Sequence, residues 1–159
     1  MAAVVDVSVL IVSTLCAPEE GDDVLLQRLR QLVDATPGVT LGLYECPAPY
    51  HRLLTLEALA YAATSGRFVF LKDTCRDNAV IDARLAHLAK LPASPFRWYN
   101  GNVTTLLHSL RAGAFGIIAA CARTFRPASH SPSFSRRIWL WRRVGQFLSL
   151  HSRLAHCQL

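Results

Sequence analysis

Between residues 4 and 120, short apolar runs alternate with longer amphipathic stretches, and this alternation leaves few folds open to the chain. The runs cover residues 4–13, 39–45, 68–73, 96–100 and 115–120. Runs of this length are typical of buried strands, and amphipathic stretches between them are typical of helices. Strands that are apolar on both faces suit a parallel sheet covered by helices. The pattern predicts an α/β fold, either an open doubly wound sheet or part of a (β/α)8 barrel.

Start and stop signals place a helix between each pair of runs. The predicted helices cover about residues 22–35, 55–64, 78–90 and 103–112. Thr55 is a good N-terminal cap, while Gly66 and Gly113 follow the second and fourth helices, where chains often end a helix. No G-x-G-x-x-G motif follows the first run, so a dinucleotide-binding fold has no direct support.

The excess of positive charge lies in the C-terminal tail of the chain. The formal net charge is +6, yet residues 123–159 contain seven arginines and no acidic residue. Residues 1–122 are therefore close to neutral, and we interpret them as one domain followed by a divergent basic tail, irregular or helical. The tail could be the product of a shifted reading frame or could touch RNA or acidic lipid. We do not expect it to bind nucleic acid.

The cysteines and the hydropathy indicate a cytoplasmic protein. The five cysteines are scattered without metal-ligand spacing, as expected of free thiols in a reducing compartment. The first residues lack the basic segment of a signal peptide, and no apolar run is long enough to cross a bilayer. We predict no metal site and no cofactor.

Lys72 is the residue that points most directly to chemistry. It directly follows the apolar residues 68–71 at the end of the third run, where an ammonium is costly to bury. It is either paired with Asp73 or Asp77, or it has a lowered pKa and can attack carbonyl groups as a Schiff-base lysine. Tyr44 ends the neighbouring run and should lie at the same height. Tyr44 could instead be a core tyrosine whose hydroxyl bonds to the backbone.

The segments around these two residues resemble a known enzyme family. Residues 42–50 are similar to the tyrosine-bearing strand of the dihydrodipicolinate synthase and N-acetylneuraminate lyase family, and residues 70–74 are similar to its Schiff-base strand. Residues 100–102 and 113–118 resemble its last two strands. The resemblance covers roughly residues 4–122 and implies about five of the eight βα units of a TIM barrel.

The resemblance also implies an activity and a site. Lys72 would form a Schiff base with pyruvate or another 2-keto acid, Tyr44 would relay protons, and Gly101 and Ile118 would line the substrate pocket. The protein would be a lyase of the class I aldolase type and would form a homo-oligomer. Pro49 stands where many synthases place an arginine, so we expect a relative that acts on another aldol substrate.

The same resemblance limits the expected activity. The five predicted strands correspond to the family's last five, without the Gly-Thr-Thr-Gly-Glu type loop that binds the carboxylate of the keto acid. We therefore expect an activity impaired by truncation. The alternative is a catalytically inactive fragment that acts as an interaction module or is a pseudogene product.

Overall fold

A computed structural model of the chain describes residues 7–118, and these form one parallel sheet with four helices. The predicted tail, residues 123–159, and the start of the first run lie outside the described residues. The strands are β1 Ser8–Ile11, β2 Leu41–Tyr44, β3 Phe68–Asp73, β4 Arg97–Asn100 and β5 Gly116–Ile117. The helices are α1 Asp22–Ala35, α2 Leu56–Thr64, α3 Asn78–Ala89 and α4 Leu106–Arg111. A single 3-10 turn, Val12–Thr14, follows β1.

Local signals in the sequence account for most helix ends. The Thr55 hydroxyl accepts a hydrogen bond from the backbone N–H of Ala58 at the start of α2, as predicted. Gly66 and Gly113 follow α2 and α4 with φ of +70° and +103°, a backbone conformation that favours glycine.

Helix α4 begins at Leu106, three residues later than expected. The side chain of Asn102 accepts hydrogen bonds from the backbone N–H and the hydroxyl of Thr104, at 2.9 and 2.7 Å. This local turn binds the backbone N–H of Thr104, and such side-chain bonds to the backbone compete with the start of a helix.

The order of the strands decides between the two predicted folds. All four strand pairs are parallel, and the strands lie side by side in chain order, β1-β2-β3-β4-β5. A doubly wound sheet reverses its strand order at a switch point, whereas a (β/α)8 barrel does not. Right-handed connections between sequential strands place every helix on one side of the sheet. The prediction of a partial TIM barrel is confirmed.

The two faces of the sheet carry separate clusters of buried side chains. The face toward the helices, here called the helix face, contributes to a large apolar core with side chains from the helices, including Leu25, Leu59 and Ile81. The opposite face, here called the inner face, has a smaller cluster of Phe70, Tyr99 and Ile118, which contains no residue of the described helices.

A β-bulge in β3 changes which side chains point to the inner face. Leu41 pairs with Phe68 and Gly42 pairs with Phe70, so Val69 is an extra residue. Phe68 therefore packs into the helix-face core, while Phe70 lies in the inner cluster. Gly42 makes room for Phe70, because a Cβ at Gly42 would lie 2.5 Å from the Phe70 ring. Beyond the bulge, alternation places Lys72 on the inner face and Asp73 on the helix face.

Three of the five cysteines lie in the described part of the chain, and Cys16, Cys46 and Cys75 are free thiols. Within residues 7–118, no group of three or more histidine, cysteine or acidic side chains is placed to hold a metal ion. No helix there is both long and apolar enough to cross a membrane.

Candidate active site

Three side chains from adjacent strands meet on the inner face at one level of the sheet. Lys72 of β3 pairs in register with Tyr44 of β2 on one side and with Tyr99 of β4 on the other. Residues paired in this way project to the same face of a sheet. The structure therefore brings Tyr44 and Lys72 together, at the level that their positions at the ends of two apolar runs suggested.

The Lys72 ammonium lies against an aromatic ring. Its Nζ atom is 3.8 Å from the centroid of the Tyr44 ring, a cation–π distance. Burial lowers the pKa of Lys72, while the nearby Cys46 side chain opposes this effect. The lowered pKa increases the fraction of neutral amine, which is the form that attacks carbonyl carbons.

The structure does not contain the predicted structural pairing of Lys72. Among residues 7–118, no carboxylate lies within 4 Å of its Nζ atom. Asp73 instead pairs with Arg84 on the helix face, and the Asp77 side chain accepts a hydrogen bond from the N–H of Ala79 at the start of α3. Both candidate partners are thus engaged elsewhere.

Tyr44 is half-buried beside the lysine. Burial raises the pKa of Tyr44 to about 12, and the interaction with the Cys46 thiol adds to the increase. The phenol is therefore protonated near neutral pH and able to donate a proton. Within the described residues its hydroxyl makes no hydrogen bond to the backbone, in contrast to the core-tyrosine alternative.

Gly101 lies against the stem of Lys72. A Cβ at Gly101 would be 3.4 Å from Cε of Lys72 and only 2.6 Å from the carbonyl oxygen of Asp73. The Gly101 N–H donates a hydrogen bond to that same oxygen. A residue with a side chain would displace the end of β3, so glycine permits the close approach of the two strands here.

Ile118 follows β5 and lies on the inner face. Only 1% of its surface is exposed, and it packs with Phe70 and Tyr99. Its N–H donates a hydrogen bond to the carbonyl oxygen of Asn100 at 2.8 Å. Ile118 is therefore two strands away from Lys72, on the same face, with Tyr99 between them in the strand order.

Tyr99 is a residue of this site that the sequence reasoning missed. It is the second register partner of Lys72, only 2% exposed, and its ring meets Phe70 edge to face at 6.1 Å. Burial raises the pKa of Tyr99 to about 12. Its place one residue before Asn100 in the fourth apolar run was a usable signal, because it shares the position of Tyr44 and Lys72 relative to the strand end.

Arg84 of α3 was also missed, and it anchors a buried charge network on the helix face. Its guanidinium contacts Glu45 at 2.9 and 3.0 Å and also pairs with Asp73. It donates a further hydrogen bond to the carbonyl oxygen of Leu54 at 2.6 Å. Glu45 directly follows Tyr44 in the sequence, and its exposed fraction is 0%.

Thr74 links the loops that follow β2 and β3. Its hydroxyl donates to the carbonyl oxygen of Glu45 at 2.5 Å. The Nε2 atom of His51 lies 2.8 Å from the same Thr74 oxygen. Because the Thr74 hydrogen is already used, Nε2 must be the donor in this contact, which assigns its proton. The exposed His51 ring is thus held at the edge of the site.

Several solved structures of enzymes have a fold similar to that of this chain. A dihydrodipicolinate synthase from Bacillus anthracis superposes with a TM-score of 0.59 at 16% identity, over 96% of this chain. A Thermus thermophilus protein assigned as a dihydrodipicolinate synthase gives 0.51 at 28% identity over 84%. A 2-keto 3-deoxygluconate aldolase from Picrophilus torridus gives 0.54 at 12% identity over 88%. No protein-family model and no curated protein matches the chain.

The extent of these matches agrees with the strand order. The chain spans 46%, 40% and 50% of the three proteins, about half of each or less. The five parallel strands in chain order are those of a (β/α)8 barrel in part. The resemblance predicted from residues 42–50 and 70–74 is confirmed: over about half a barrel, the chain is similar to the dihydrodipicolinate synthase and N-acetylneuraminate lyase family.

Proposed function

We propose that this chain is a class I aldolase or lyase that acts on pyruvate or another 2-keto acid through a Schiff base on Lys72. The observation that carries the proposal is the environment of that lysine. Its ammonium is half-buried at the end of β3, lies 3.8 Å from the Tyr44 ring, and has no carboxylate partner within the described residues.

The lysine supplies the nucleophile. Neutral Nζ attacks the ketone carbon, a C–N bond forms, and the carbonyl oxygen leaves as water. In a substrate with a hydroxyl group on the departing carbon, that hydroxyl loses its proton as the carbon–carbon bond beside the protonated imine breaks. The imine accepts the electron pair of that bond, which yields an enamine and an aldehyde. Protonation of the enamine and hydrolysis of the imine release the keto acid. The lowered pKa of Lys72 favours the first of these steps.

Tyr44 is the proton relay in this proposal. Its ring already contacts Nζ, so its hydroxyl, part of the same rigid ring, lies within reach of a substrate bonded to that atom. With a pKa raised to about 12, the phenol donates a proton to the departing oxygen and recovers one later in the cycle. Gly101 and Ile118 shape the pocket wall, the first by its contact with the lysine stem and the second from the inner cluster.

The experiment is reductive trapping of the imine. The full chain is incubated with pyruvate and sodium borohydride, and modified lysines are mapped by mass spectrometry. The chain has only two lysines, Lys72 and Lys90, and Lys90 is exposed at the end of α3. Lys90 is therefore an internal control for non-specific amine chemistry. We expect an adduct on Lys72 and none on Lys90.

Two variants complete the design. Lys90→Arg should leave trapping unchanged, whereas Lys72→Arg should abolish it, because a guanidinium does not form the imine. Equal labelling of both lysines, or none on either, contradicts the proposed activity. Absence of labelling in a folded chain would favour the alternative of an inactive interaction module.

The predicted homo-oligomer also remains a proposal. In the described part of the chain, β1 and β5 each pair with a single strand, so the sheet has two edges there. Open edges pair readily with other strands. Sizing chromatography coupled to light scattering measures the state directly, and a stable monomer contradicts the proposal.

A further inference from the structure

A buried charge network lies directly behind the candidate site, on the opposite face of the sheet. Arg84 is 2% exposed, and Glu45 and Asp73 are 0% exposed. Glu45 immediately follows Tyr44, and Asp73 immediately follows Lys72. Neighbouring residues of a strand project to opposite faces, so each carboxylate points to the helices while the residue before it points to the inner face.

One guanidinium therefore holds both strand ends. Its two nitrogens lie 2.9 and 3.0 Å from the two oxygens of Glu45, and one of them also pairs with Asp73. Each carboxylate also accepts a hydrogen bond from the backbone. The N–H of Leu54 donates to Glu45 at 2.7 Å, and the N–H of Cys75 donates to Asp73 at 2.7 Å. The fork of donors on arginine suits two carboxylates at once, whereas a lysine ammonium does not present that geometry.

The charges of the network do not balance, which makes it a poor device for stability alone. Two carboxylates face one guanidinium, and burial outweighs the attraction of Arg84 enough to raise the pKa of Glu45 to about 6. Apolar side chains of similar volume commonly stabilise a protein as well as or better than a buried ion network does. Such a network does fix the relative positions of the elements that it joins.

We propose that Arg84 is a positioning residue for the reaction on Lys72: it sets the separation of β2 and β3 at the site and so holds Tyr44 against the lysine. The inference rests on the proposed function. Arg84 does not touch the substrate and acts only through Glu45 and Asp73. The backbone bond from the Glu45 N–H to the Lys72 carbonyl oxygen, at 3.1 Å, is the link that the network braces.

The first test does not depend on activity. Trace acetylation of the two lysines is followed by mass spectrometry across a range of pH, with Lys90 as the reference. The titratable groups on the described elements around Lys72 are Tyr44 and Cys46 on the β2 side and Tyr99 on β4. In Arg84→Lys we expect the Lys72 titration midpoint to move up toward that of an ordinary lysine, because the separated strands admit water. A role confined to stability leaves the midpoint of the folded protein unchanged.

The second test is a double-mutant cycle on the rate of imine formation. Arg84→Lys alone should slow trapping by pyruvate about 10- to 100-fold, the usual cost of misplacing a reacting group. Tyr44→Phe should slow it in the wild-type chain but have little further effect in Arg84→Lys, because the tyrosine is then already displaced. Additive effects of the two substitutions contradict the proposal.

Controls separate folding from positioning. Asp82→Asn is matched, since Asp82 lies on the same helix and forms an exposed pair with His108, and it should change neither readout. If Arg84→Lys does not fold, Glu45→Gln and Asp73→Asn answer the same question with smaller changes of shape. If Arg84→Lys raises the titration midpoint of Lys72 but no chain traps pyruvate, the proposed function fails, while the effect of Arg84 on the position of Lys72 stands. If pyruvate is trapped at the same rate in every folded variant of the network, the positioning role fails alone.

Discussion

The two faces of the sheet treat buried charge in opposite ways. On the helix face, Arg84, Glu45 and Asp73 satisfy one another. On the inner face, Lys72 has an aromatic ring beside it and, in the described residues, no carboxylate. Glu45 and Asp73 directly follow Tyr44 and Lys72 at the ends of β2 and β3, and they project to the opposite face of the sheet, where Arg84 of α3 meets them. A charge with partners braces the structure, whereas a charge without partners is available for chemistry.

Removal of the inner-face charge should change the activity of the chain more than any other substitution. Lys72→Met should abolish trapping by pyruvate, because it removes the amine on which the proposed imine forms. It should leave the free energy of unfolding unchanged or higher, because the burial that lowers the pKa of Lys72 also disfavours its ammonium in the folded state. Mass spectrometry and urea denaturation measure the two effects. A variant that loses both trapping and stability would show that the lysine braces the fold after all.

Removing the helix-face charge should have the reverse outcome. Arg84→Met leaves two fully buried carboxylates without their partner, and we expect the free energy of unfolding to fall by about 3–5 kcal/mol. Replacing Arg84, Glu45 and Asp73 together by apolar residues should restore most of this loss in a denaturation experiment. A triple variant as unstable as Arg84→Met would mean that the network contributes stability by itself.

The close contact at Gly101 can be tested by adding one methyl group. Gly101→Ala places a Cβ against the backbone oxygen of Asp73, which cannot rotate away, and should cost about 1–3 kcal/mol of stability. It should also slow trapping, because the new Cβ would lie 3.2 Å from Cγ2 of Thr74 and 3.4 Å from Cε of Lys72. Gly21→Ala is the matched control, since the new Cβ meets only the flexible Asp23 side chain. Equal effects of the two substitutions on trapping would contradict the assigned contact.

The contribution of Glu45 to the free energy of unfolding should depend on pH. The pKa of Glu45 is raised to about 6 in the folded chain from an ordinary 4.5. Between these values the folded state binds more protons than the unfolded state, so the contribution of Glu45 to stability falls as pH rises from 4.5 to 6, by about 2 kcal/mol at most. Denaturation of wild type and Glu45→Gln across this range isolates the contribution. Parallel pH profiles of the two chains would show that the shift is absent.

The fold was largely predictable because it depends on local patterns. Five apolar runs, the Thr55 cap and the glycines after α2 and α4 lie where the strands and helix ends lie. The start of α4 was misplaced because the Asn102 turn competes with helix formation there. The choice between barrel and doubly wound sheet needed the strand order, which no local pattern encodes.

In the candidate site, the residues near the ends of the strands were the most predictable from the sequence. Tyr44 and Lys72 follow from the apolar runs and from the resemblance of their segments to a known family. The role of Arg84 was not predictable, because an arginine in the middle of an amphipathic helix is expected to be exposed. Its partners Glu45 and Asp73 are also distant in the sequence, 39 and 11 residues away. Tyr99 could have been found by counting back from the end of its strand.

The bulge at Val69 decides which residues of β3 project to the inner face and which project to the helices. Phe68 packs toward the helices, and a regular strand that began there would alternate without interruption. Counting from it, Lys72 would fall among the helices, and Asp73 would fall on the inner face beside Tyr44. The single extra residue reverses the count. Which of two adjacent residues meets a substrate, a nucleophilic amine or an inert carboxylate, is therefore decided by the number of residues in a strand as much as by their identity.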